Sequence, residues 1–245
     1  MTRRLLLVAG GCSDIWAYDR YANDLGLFYD AAVRSSGYAP EDVRVCFKDG
    51  NAPVPNVPAS IRTAARRADL DGAFLWLSDL GEGDRAVVVV SNHGDGEGLW
   101  LWGKDKYYMP DHVQRALAGC VATKVFVLGQ CHAGRFAKMS MTNVVLACAA
   151  ASHEASNSFD LQYDEFLYQF ASALRGGYPD GRPLRATVPQ PGAITIDEAF
   201  RYAAAFDRCS AKDWHLPLGY PADKYAPETP ELHENPAGLA VRITL

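Results

Sequence analysis

The sequence lacks the features of a membrane-spanning chain and of a cysteine-based metal or redox motif. A membrane-spanning helix needs about 20 consecutive apolar residues, and no stretch of the 245 residues approaches that length. None of the six cysteines forms a C-x-x-C pair, so zinc ribbons and thioredoxin-like motifs have no support. No cluster of metal ligands is evident, and we expect the protein to use neither a metal nor another cofactor.

An excess of positive charge is also absent. The net charge is −5 and no basic stripe is present, which argues against nucleic acid and anionic membranes as partners. The basic start of the chain precedes only a short apolar run, which predicts a first strand rather than a signal peptide. We therefore expect a cytoplasmic protein with reduced cysteines, whose partner is a protein or peptide substrate. Its oligomeric state is left open.

Strand and helix patterns alternate along the chain. Apolar, β-branched runs predict buried parallel strands at residues 4–9, 43–48, 85–91, 124–128 and 143–149. Helical spacing predicts helices at 23–36, 163–174 and 196–206, and the tail alternates like a closing strand at 239–245. These patterns favour an α/β fold, a doubly wound, mostly parallel sheet of about six strands with helices on both faces. We expect one domain over 1–245, with a core at 1–175 and a loop-rich part at 176–245 that completes the sheet.

Two polar segments directly follow two of the predicted strands. The segment SNHG contains His93 and follows the third strand, and the segment GQCHAG contains Cys131 and follows the fourth. Because the carboxyl ends of parallel strands lie at one edge of a sheet, we expect these two side chains to meet there. An imidazole can accept the proton of a thiol and make it a nucleophile. His132 is a rival base, but its side chain should point away from that of its neighbour.

Gly94 follows the histidine. A glycine lets its backbone N–H approach an oxyanion without a side chain in the way. Together with the N–H of Cys131, it would form an oxyanion hole that stabilises a tetrahedral intermediate. The two motifs therefore predict a cysteine hydrolase.

These motifs resemble those of the caspase-like superfamily of cysteine peptidases (clan CD), in which a His-Gly motif and a Cys motif follow adjacent strands. Within it the sequence is most similar to the legumain branch, which includes the catalytic subunit of the GPI transamidase. The amino-terminal segment has the legumain pattern of Ala9-Gly10, a tryptophan at Trp16, and an arginine four residues later at Arg20. The similarity extends to about Phe170 and implies a three-layer α/β/α fold with cysteine endopeptidase activity.

The resemblance also implies roles for individual residues. Asp14 occupies the position of a legumain asparagine that orients the catalytic histidine, and a carboxylate can serve the same purpose. Arg20 matches an arginine that lines the pocket for the residue before the scissile bond. Ser156 and Asp164 match a serine and an aspartate of that pocket, although Asp164 also fits the N-cap of a helix.

The expected preference for the residue before the scissile bond depends on these pocket groups. Legumains carry a glutamate two residues before the cysteine, and here that position is Gly129. An arginine with a carboxylate suits the amide of asparagine, which we place first. If Arg20 points away, Asp160 or Asp164 favours Arg or Lys, as in clostripain-like relatives. If Arg20 dominates, Asp is expected, as in caspases.

Two further functions and one regulatory feature are left open by the sequence. An amine intercepting the same acyl-enzyme would make the protein a transpeptidase or ligase. A catalytically silent, caspase-like binding protein is the third reading, which the intact His93 and Cys131 argue against. The glycine- and proline-rich segment 176–191 is expected to be flexible and to cover the cleft or be cut.

Overall fold

A seven-stranded sheet lies at the centre of this computed structural model, which describes residues 1–104, 106–210 and 226–245. Its strand order is β3-β2-β1-β4-β7-β8-β9, and a separate two-stranded sheet pairs β5 with β6. All neighbours in the large sheet are parallel except β9, which runs antiparallel to β8. The strands are β1 Arg3–Ala9, β2 Val43–Phe47, β3 Arg62–Thr63, β4 Arg85–Ser91, β5 Leu99–Trp100, β6 Tyr107–Tyr108, β7 Thr123–Leu128, β8 Val144–Cys148 and β9 Glu231–Asn235.

Helices cover both faces of this sheet. They are α1 Asp19–Asp30, α2 Arg67–Ser78, α3 Pro110–Ala116, α4 Glu165–Arg175 and α5 Ile196–Phe206, and α1 continues as a π-helical turn over Ala31–Ser35. Helices α1, α4 and α5 pack on one face, whereas α2 and α3 pack on the other. No helix in the described ranges is both long and apolar enough to cross a membrane.

Strand β4 is buried on both faces, which explains its unbroken run of apolar residues. Val87 and Val89 pack into the core beneath α1, α4 and α5, while Val88 and Val90 pack into the core beneath α2 and α3. Successive side chains of a strand point to opposite faces, so a strand covered on both faces needs apolar residues at every position. Burial of each valine contributes about 1.5 to 3 kcal/mol, which holds the carboxyl end of β4 in place.

The carboxyl-terminal strand differs from the prediction. The antiparallel edge strand is β9, and the expected strand at 239–245 contains a 3₁₀ turn over Ala240–Arg242 instead. Ala240 and Ile243 are buried against α5, and the Ile243 carbonyl accepts a hydrogen bond from the N–H of Ile196 at 2.8 Å. Because β9 already occupies the open edge of β8, the apolar tail packs on a helix rather than in the sheet.

The loop at 176–191 does not cover the cleft described below. Tyr178 is buried, and its hydroxyl lies 2.8 Å from Oε1 of Gln169 on α4 and 2.9 Å from the hydroxyl of Tyr202 on α5. These contacts attach the loop to α4 and α5, and none of its residues lines the cavity described below.

The order of the strands determines where a cleft can form. The chain moves from β1 to one side to form β2 and β3, and later crosses to the other side to form β4, β7 and β8. The order therefore reverses between β1 and β4, and α/β sheets bind ligands outside the carboxyl ends at such a point. The loops after β1, β4 and β7 meet there.

Candidate active site

A cavity of about 630 Å³ opens at this reversal point. It brings together residues from the loops after β1, β4, β7 and β8, among them the expected pair His93 and Cys131. The lining residues are Ala17, Tyr18, Asp19, Arg20, His93, Cys131, Ala155, Ser156, Asn157, Ser158 and Leu161. Of the expected pocket residues, Arg20 and Ser156 are part of this lining.

The thiol of Cys131 lies at the wall of the cavity next to the loop that follows β8. Its sulfur donates a long hydrogen bond of 3.8 Å to the backbone carbonyl of Ser156. Burial raises the pKa of the Cys131 thiol, and the contact with Ser156 and the charge of Arg20 only partly oppose that effect. The sulfur is therefore a neutral thiol at neutral pH in the unliganded protein.

The imidazole of His93 lies inside a box of aromatic rings. Its centroid is 4.9 Å from that of Tyr18, 5.0 Å from Trp100, 5.4 Å from Trp16 and 5.5 Å from Tyr21. This burial, together with the nearby charge of Arg20, lowers the pKa of His93 to about 4. The ring is therefore neutral at neutral pH and able to accept a proton.

A backbone carbonyl, and not the Asp14 carboxylate, is the polar group beside this imidazole. The Trp16 carbonyl favours the protonated form of the ring and so partly opposes the fall in the pKa of His93. The Asp14 side chain is 82% exposed and forms an ion pair of 2.7 Å with Lys48. The expected orienting role of Asp14 is thereby corrected: the 3₁₀ turn Asp14–Trp16 turns the carboxylate outward to Lys48.

Asn92 holds the loop that carries His93, a role that the sequence motif did not assign to it. Its buried Oδ1 accepts hydrogen bonds from the N–H of Gly11 at 2.7 Å and from the N–H of His93 at 2.8 Å. Its Nδ2 donates to the carbonyl of Trp100 at 2.8 Å. One amide therefore connects the loop after β1, the loop after β4 and strand β5. In the sequence, the feature that could have indicated this role is the position of a polar residue directly after a buried strand.

The backbones of Gly94 and Cys131 are in close contact. A Cβ placed on Gly94 would lie 2.4 Å from the carbonyl oxygen of Cys131, so no other residue fits without movement. Gly94 and Leu99 form an isolated antiparallel bridge. Its two hydrogen bonds run from the N–H of Trp100 to the carbonyl of His93 and from the N–H of Asp95 to the carbonyl of Gly98. The bridge therefore leaves the N–H of Gly94 unused. In the described part of the chain, neither this N–H nor that of Cys131 donates to another backbone group. Two unused backbone donors in adjoining loops suit an oxyanion.

Arg20 and two buried carboxyl groups form the charged side of the cavity. The guanidinium of Arg20 stacks on Tyr18 at 4.7 Å and on Tyr21 at 5.1 Å, and it faces the cavity. The hydroxyl of Ser156 donates to Oδ2 of Asp164 at 2.7 Å, which places that carboxyl directly behind the lining. The backbone N–H of Asp164 in turn points at the carboxylate of the buried Asp24, at 3.2 Å.

Asp164 caps helix α4 and also contacts a residue of the cavity lining. Its Oδ1 accepts the N–H of Leu167 at 2.9 Å and so caps α4, while its Oδ2 supports Ser156. Burial raises the pKa of Asp164 to about 7 against the opposing effects of these hydrogen bonds and of Arg20. The carboxyl therefore keeps its proton to a higher pH than an exposed aspartate, and in the protonated form it can both donate and accept hydrogen bonds.

Gly129 lies so close to α4 that a side chain there would require the buried Leu167 to move. A Cβ would be 2.4 Å from Cδ1 of Leu167 and 3.2 Å from Cγ of Asp164. The carboxyl of Asp164 thus lies beside the position where a glutamate side chain would begin. The acidic group at this end of the cavity comes from a helix N-terminus instead of a strand end.

Asp160 and His132 lie outside the cavity. The Asp160 side chain is 46% exposed and lies 3.8 Å from the guanidinium of Arg208, so the structure corrects its expected place in the pocket. His132 has a left-handed backbone (φ 58°), and its Nδ1 lies 3.1 Å from the carbonyl of Ser152. The exposed loop and the left-handed turn direct these two side chains away from Cys131.

The fold itself has a known counterpart. No family model and no curated protein sequence matches the chain. Among solved structures, the crystal structure of caspase-1 from Spodoptera frugiperda is similar, with a TM-score of 0.62 and 13% sequence identity. The match covers 95% of this chain and 86% of that chain. The fold is caspase-like. The expected mostly parallel, three-layer α/β/α architecture is thereby confirmed.

Proposed function

We propose that the protein is a cysteine endopeptidase in which Cys131 is the nucleophile and His93 the general base. The observation that supports this proposal is that His93 and Cys131 line one cavity, and that the N–H groups of Gly94 and Cys131 donate to no other backbone group in the described part of the chain. A nucleophile, a base and paired oxyanion donors are the parts that acyl transfer requires.

The reaction starts from neutral groups. His93 takes the thiol proton as the sulfur attacks the scissile carbonyl, and the N–H groups of Gly94 and Cys131 hold the resulting oxyanion. The imidazolium then gives its proton to the leaving amine as the peptide C–N bond breaks. Water attacks the thioester with His93 again as base, which releases the acid and restores the thiol.

For the residue before the scissile bond we propose asparagine first, then arginine or lysine, then aspartate. An amide side chain can accept from the guanidinium of Arg20 and exchange hydrogen bonds with Ser156 and with Asp164, whose pKa is raised by burial. A cationic side chain would be attracted by the carboxyl groups of Asp164 and the buried Asp24 but repelled by Arg20. An aspartate side chain would be attracted by Arg20 but repelled by the same two carboxyl groups. The resemblance of the sequence motifs to those of legumains supports asparagine as the first choice, whereas Gly129 in place of the legumain glutamate counts against a strict preference.

A peptidyl electrophile tests the nucleophile without knowledge of the natural substrate. Cys131 and Cys12 are the two partly exposed free cysteines, and the other four are buried. We expect peptidyl acyloxymethyl ketones to modify Cys131 alone, and Cys131→Ala to abolish both labelling and cleavage of fluorogenic peptides. Cys12→Ala is the matched control and should retain both. Unchanged turnover in Cys131→Ala would overturn the proposal.

Peptide cleavage assays also rank the preferred residue before the scissile bond and distinguish hydrolysis from transpeptidation. Four peptides that differ only in Asn, Arg, Lys or Asp before the scissile bond rank the cavity's preference, and Arg20→Ala should weaken cleavage after Asn and Asp while sparing Arg. Mass spectrometry with an added amine nucleophile shows whether the acyl-enzyme is passed to water or to the amine. A transpeptidase would give the amide as the main product.

A further inference from the structure

A second cluster of reactive side chains lies behind the cavity wall, and the peptidase chemistry does not use it. Asp207 and Cys209 follow α5, and Glu228 precedes β9. One donor atom from each lies within 4.8 Å of the donors of the other two. All three side chains are at most 1% exposed. This grouping is not visible in the sequence, because Glu228 is distant in the chain from the other two residues.

Two oxygen atoms of the cluster accept no hydrogen bond from an N–H or hydroxyl group in the described part of the chain. Asp207 uses Oδ1 to accept the N–H of Cys209 at 2.7 Å, and its Oδ2 is unpaired. Glu228 uses Oε2 to accept the N–H of Asn157 at 2.6 Å, and its Oε1 is unpaired. Unpaired carboxylate oxygens are costly at such depth, because the water they lost has not been replaced.

The charges around the cluster are not balanced by a side-chain cation. The nearby guanidinium of Arg208 is committed to Glu165, with hydrogen bonds of 2.8 and 2.7 Å. Among the described residues, no lysine or arginine forms an ion pair with Asp207 or Glu228. Two buried carboxyl groups and a thiol therefore face one another, and among the described residues no side-chain cation neutralises them, which leaves a shared proton or a bound cation for that role.

We propose that Asp207, Cys209 and Glu228 bind one divalent transition-metal ion of the zinc type. A thiolate together with two carboxylates suits Zn²⁺ and disfavours Ca²⁺ and Mg²⁺, which take oxygen ligands. Bonds of about 2.0 to 2.3 Å span most of the separation between the donors, and small side-chain rotations close the remainder. A bound water completes the tetrahedron.

Backbone contacts connect the two chain segments that carry the three proposed ligands. The N–H of Glu228 donates to the carbonyl of Cys209 at 3.0 Å, and Ser210 forms a parallel bridge with Glu228. Through Oε2, Glu228 also holds Asn157, which lines the cavity next to Ser156. An ion at this place therefore joins the end of α5, the segment before β9 and the cavity wall. Its role is structural.

Metal titration in a Cys131→Ala background tests this site. That background removes the cavity thiol as a competing ligand, so the result does not depend on the proposed peptidase activity. The chelator-treated chain is titrated with CoCl₂ and then ZnCl₂, and the near-ultraviolet thiolate-to-cobalt absorption is recorded. We expect about one cobalt ion per chain with a thiolate band, its displacement by zinc, and a zinc-dependent rise in Tm.

Ligand variants and a matched cysteine control decide the outcome. Glu228→Gln and Asp207→Asn keep the side-chain shapes and should weaken binding by at least about tenfold, while Cys209→Ala should remove the absorption band. Cys120→Ala, a buried cysteine on the opposite face of the sheet, should bind like the parent. Absence of a thiolate band, or equal binding in Glu228→Gln, would overturn the proposal and show that a proton shared by the carboxyl pair neutralises the cluster.

Discussion

Replacement of Gly94 by alanine tests the proposed oxyanion site most directly. The new Cβ would lie 2.4 Å from the carbonyl oxygen of Cys131 and 2.9 Å from Cγ of Gln130. Atoms repel strongly at such separations, since nonbonded carbon contacts are optimal at about 3.5 to 4.0 Å. The loop must therefore shift by about 1 Å, which moves the N–H of Gly94 away from its place beside the N–H of Cys131.

The expected loss can be stated for turnover and for stability separately. Removal of one oxyanion donor lowers kcat by about 10²- to 10³-fold, or about 2.7 to 4 kcal/mol of transition-state stabilisation. A methyl group forced into tight packing costs about 1 to 3 kcal/mol of folding free energy. Because the donor acts on charge that develops during the reaction, kcat should fall much more than KM changes. Fluorogenic peptide kinetics and circular-dichroism melting measure the two effects.

Gly96→Ala is the matched control in the same loop. Its Cβ would meet only the guanidinium of Arg135, at 3.3 Å, and that flexible side chain can move aside. We expect this variant to stay within about twofold of the parent in kcat and close to it in Tm. A folded Gly94→Ala protein with nearly full kcat, or equal losses in both variants, would refute the proposed role of the Gly94 N–H.

Four further predictions concern His93, Asp14, Asn92 and Asp164. Proton NMR titration should place the pKa of His93 near 4, because burial and the charge of Arg20 disfavour the imidazolium, and Arg20→Ala should raise that pKa; an ordinary value in the parent would contradict the aromatic burial. Asp14→Asn should leave kcat/KM within about twofold of the parent, whereas a large loss would restore the carboxylate as the orienting group. Asn92→Ala should lower kcat, and it should lower the free energy of unfolding by about 1 to 3 kcal/mol for each buried group left unpaired. An unchanged urea midpoint would rule out that Asn92 holds the loops together. The folded Asp164 carboxyl, with its pKa raised to about 7, holds a proton that the unfolded chain releases near 3.8, so its contribution to stability is lost as pH rises between these values; Asp164→Asn should remove that decline, and identical urea-unfolding profiles for the two proteins would contradict it.

The sheet and the two reactive residues were predictable because they depend on local patterns. The apolar run before His93 predicts β4 with its observed bounds, since a strand buried on both faces has no polar position. The run before Cys131 predicts β7 within one residue. Parallel strands end at one edge, so two motifs that each follow such a strand come together whatever the loops do.

The partners of those two residues were not predictable in the same way. The position of Asp14 relative to Trp16 suggested an orienting carboxylate, but the 3₁₀ turn directs that side chain to Lys48 and leaves the Trp16 carbonyl at the imidazole. Backbone carbonyls and N–H groups carry no sequence signature, so neither this acceptor nor the unused N–H of Gly94 is visible before folding. Asn92 likewise gains its role only from three loops that converge on its amide.

By itself, the sequence determined the α/β layering, the strands that carry His93 and Cys131, and the edge of the sheet at which they lie, because hydrophobic periodicity and strand direction are local properties. Only the tertiary structure decided what surrounds them: the aromatic box that lowers the pKa of His93, the approach of α4 that leaves no room for a side chain at Gly129 unless Leu167 moves, and the grouping of Asp207 with Glu228. Each of these depends on segments distant in the chain, whose contacts are set by packing and by the exclusion of water.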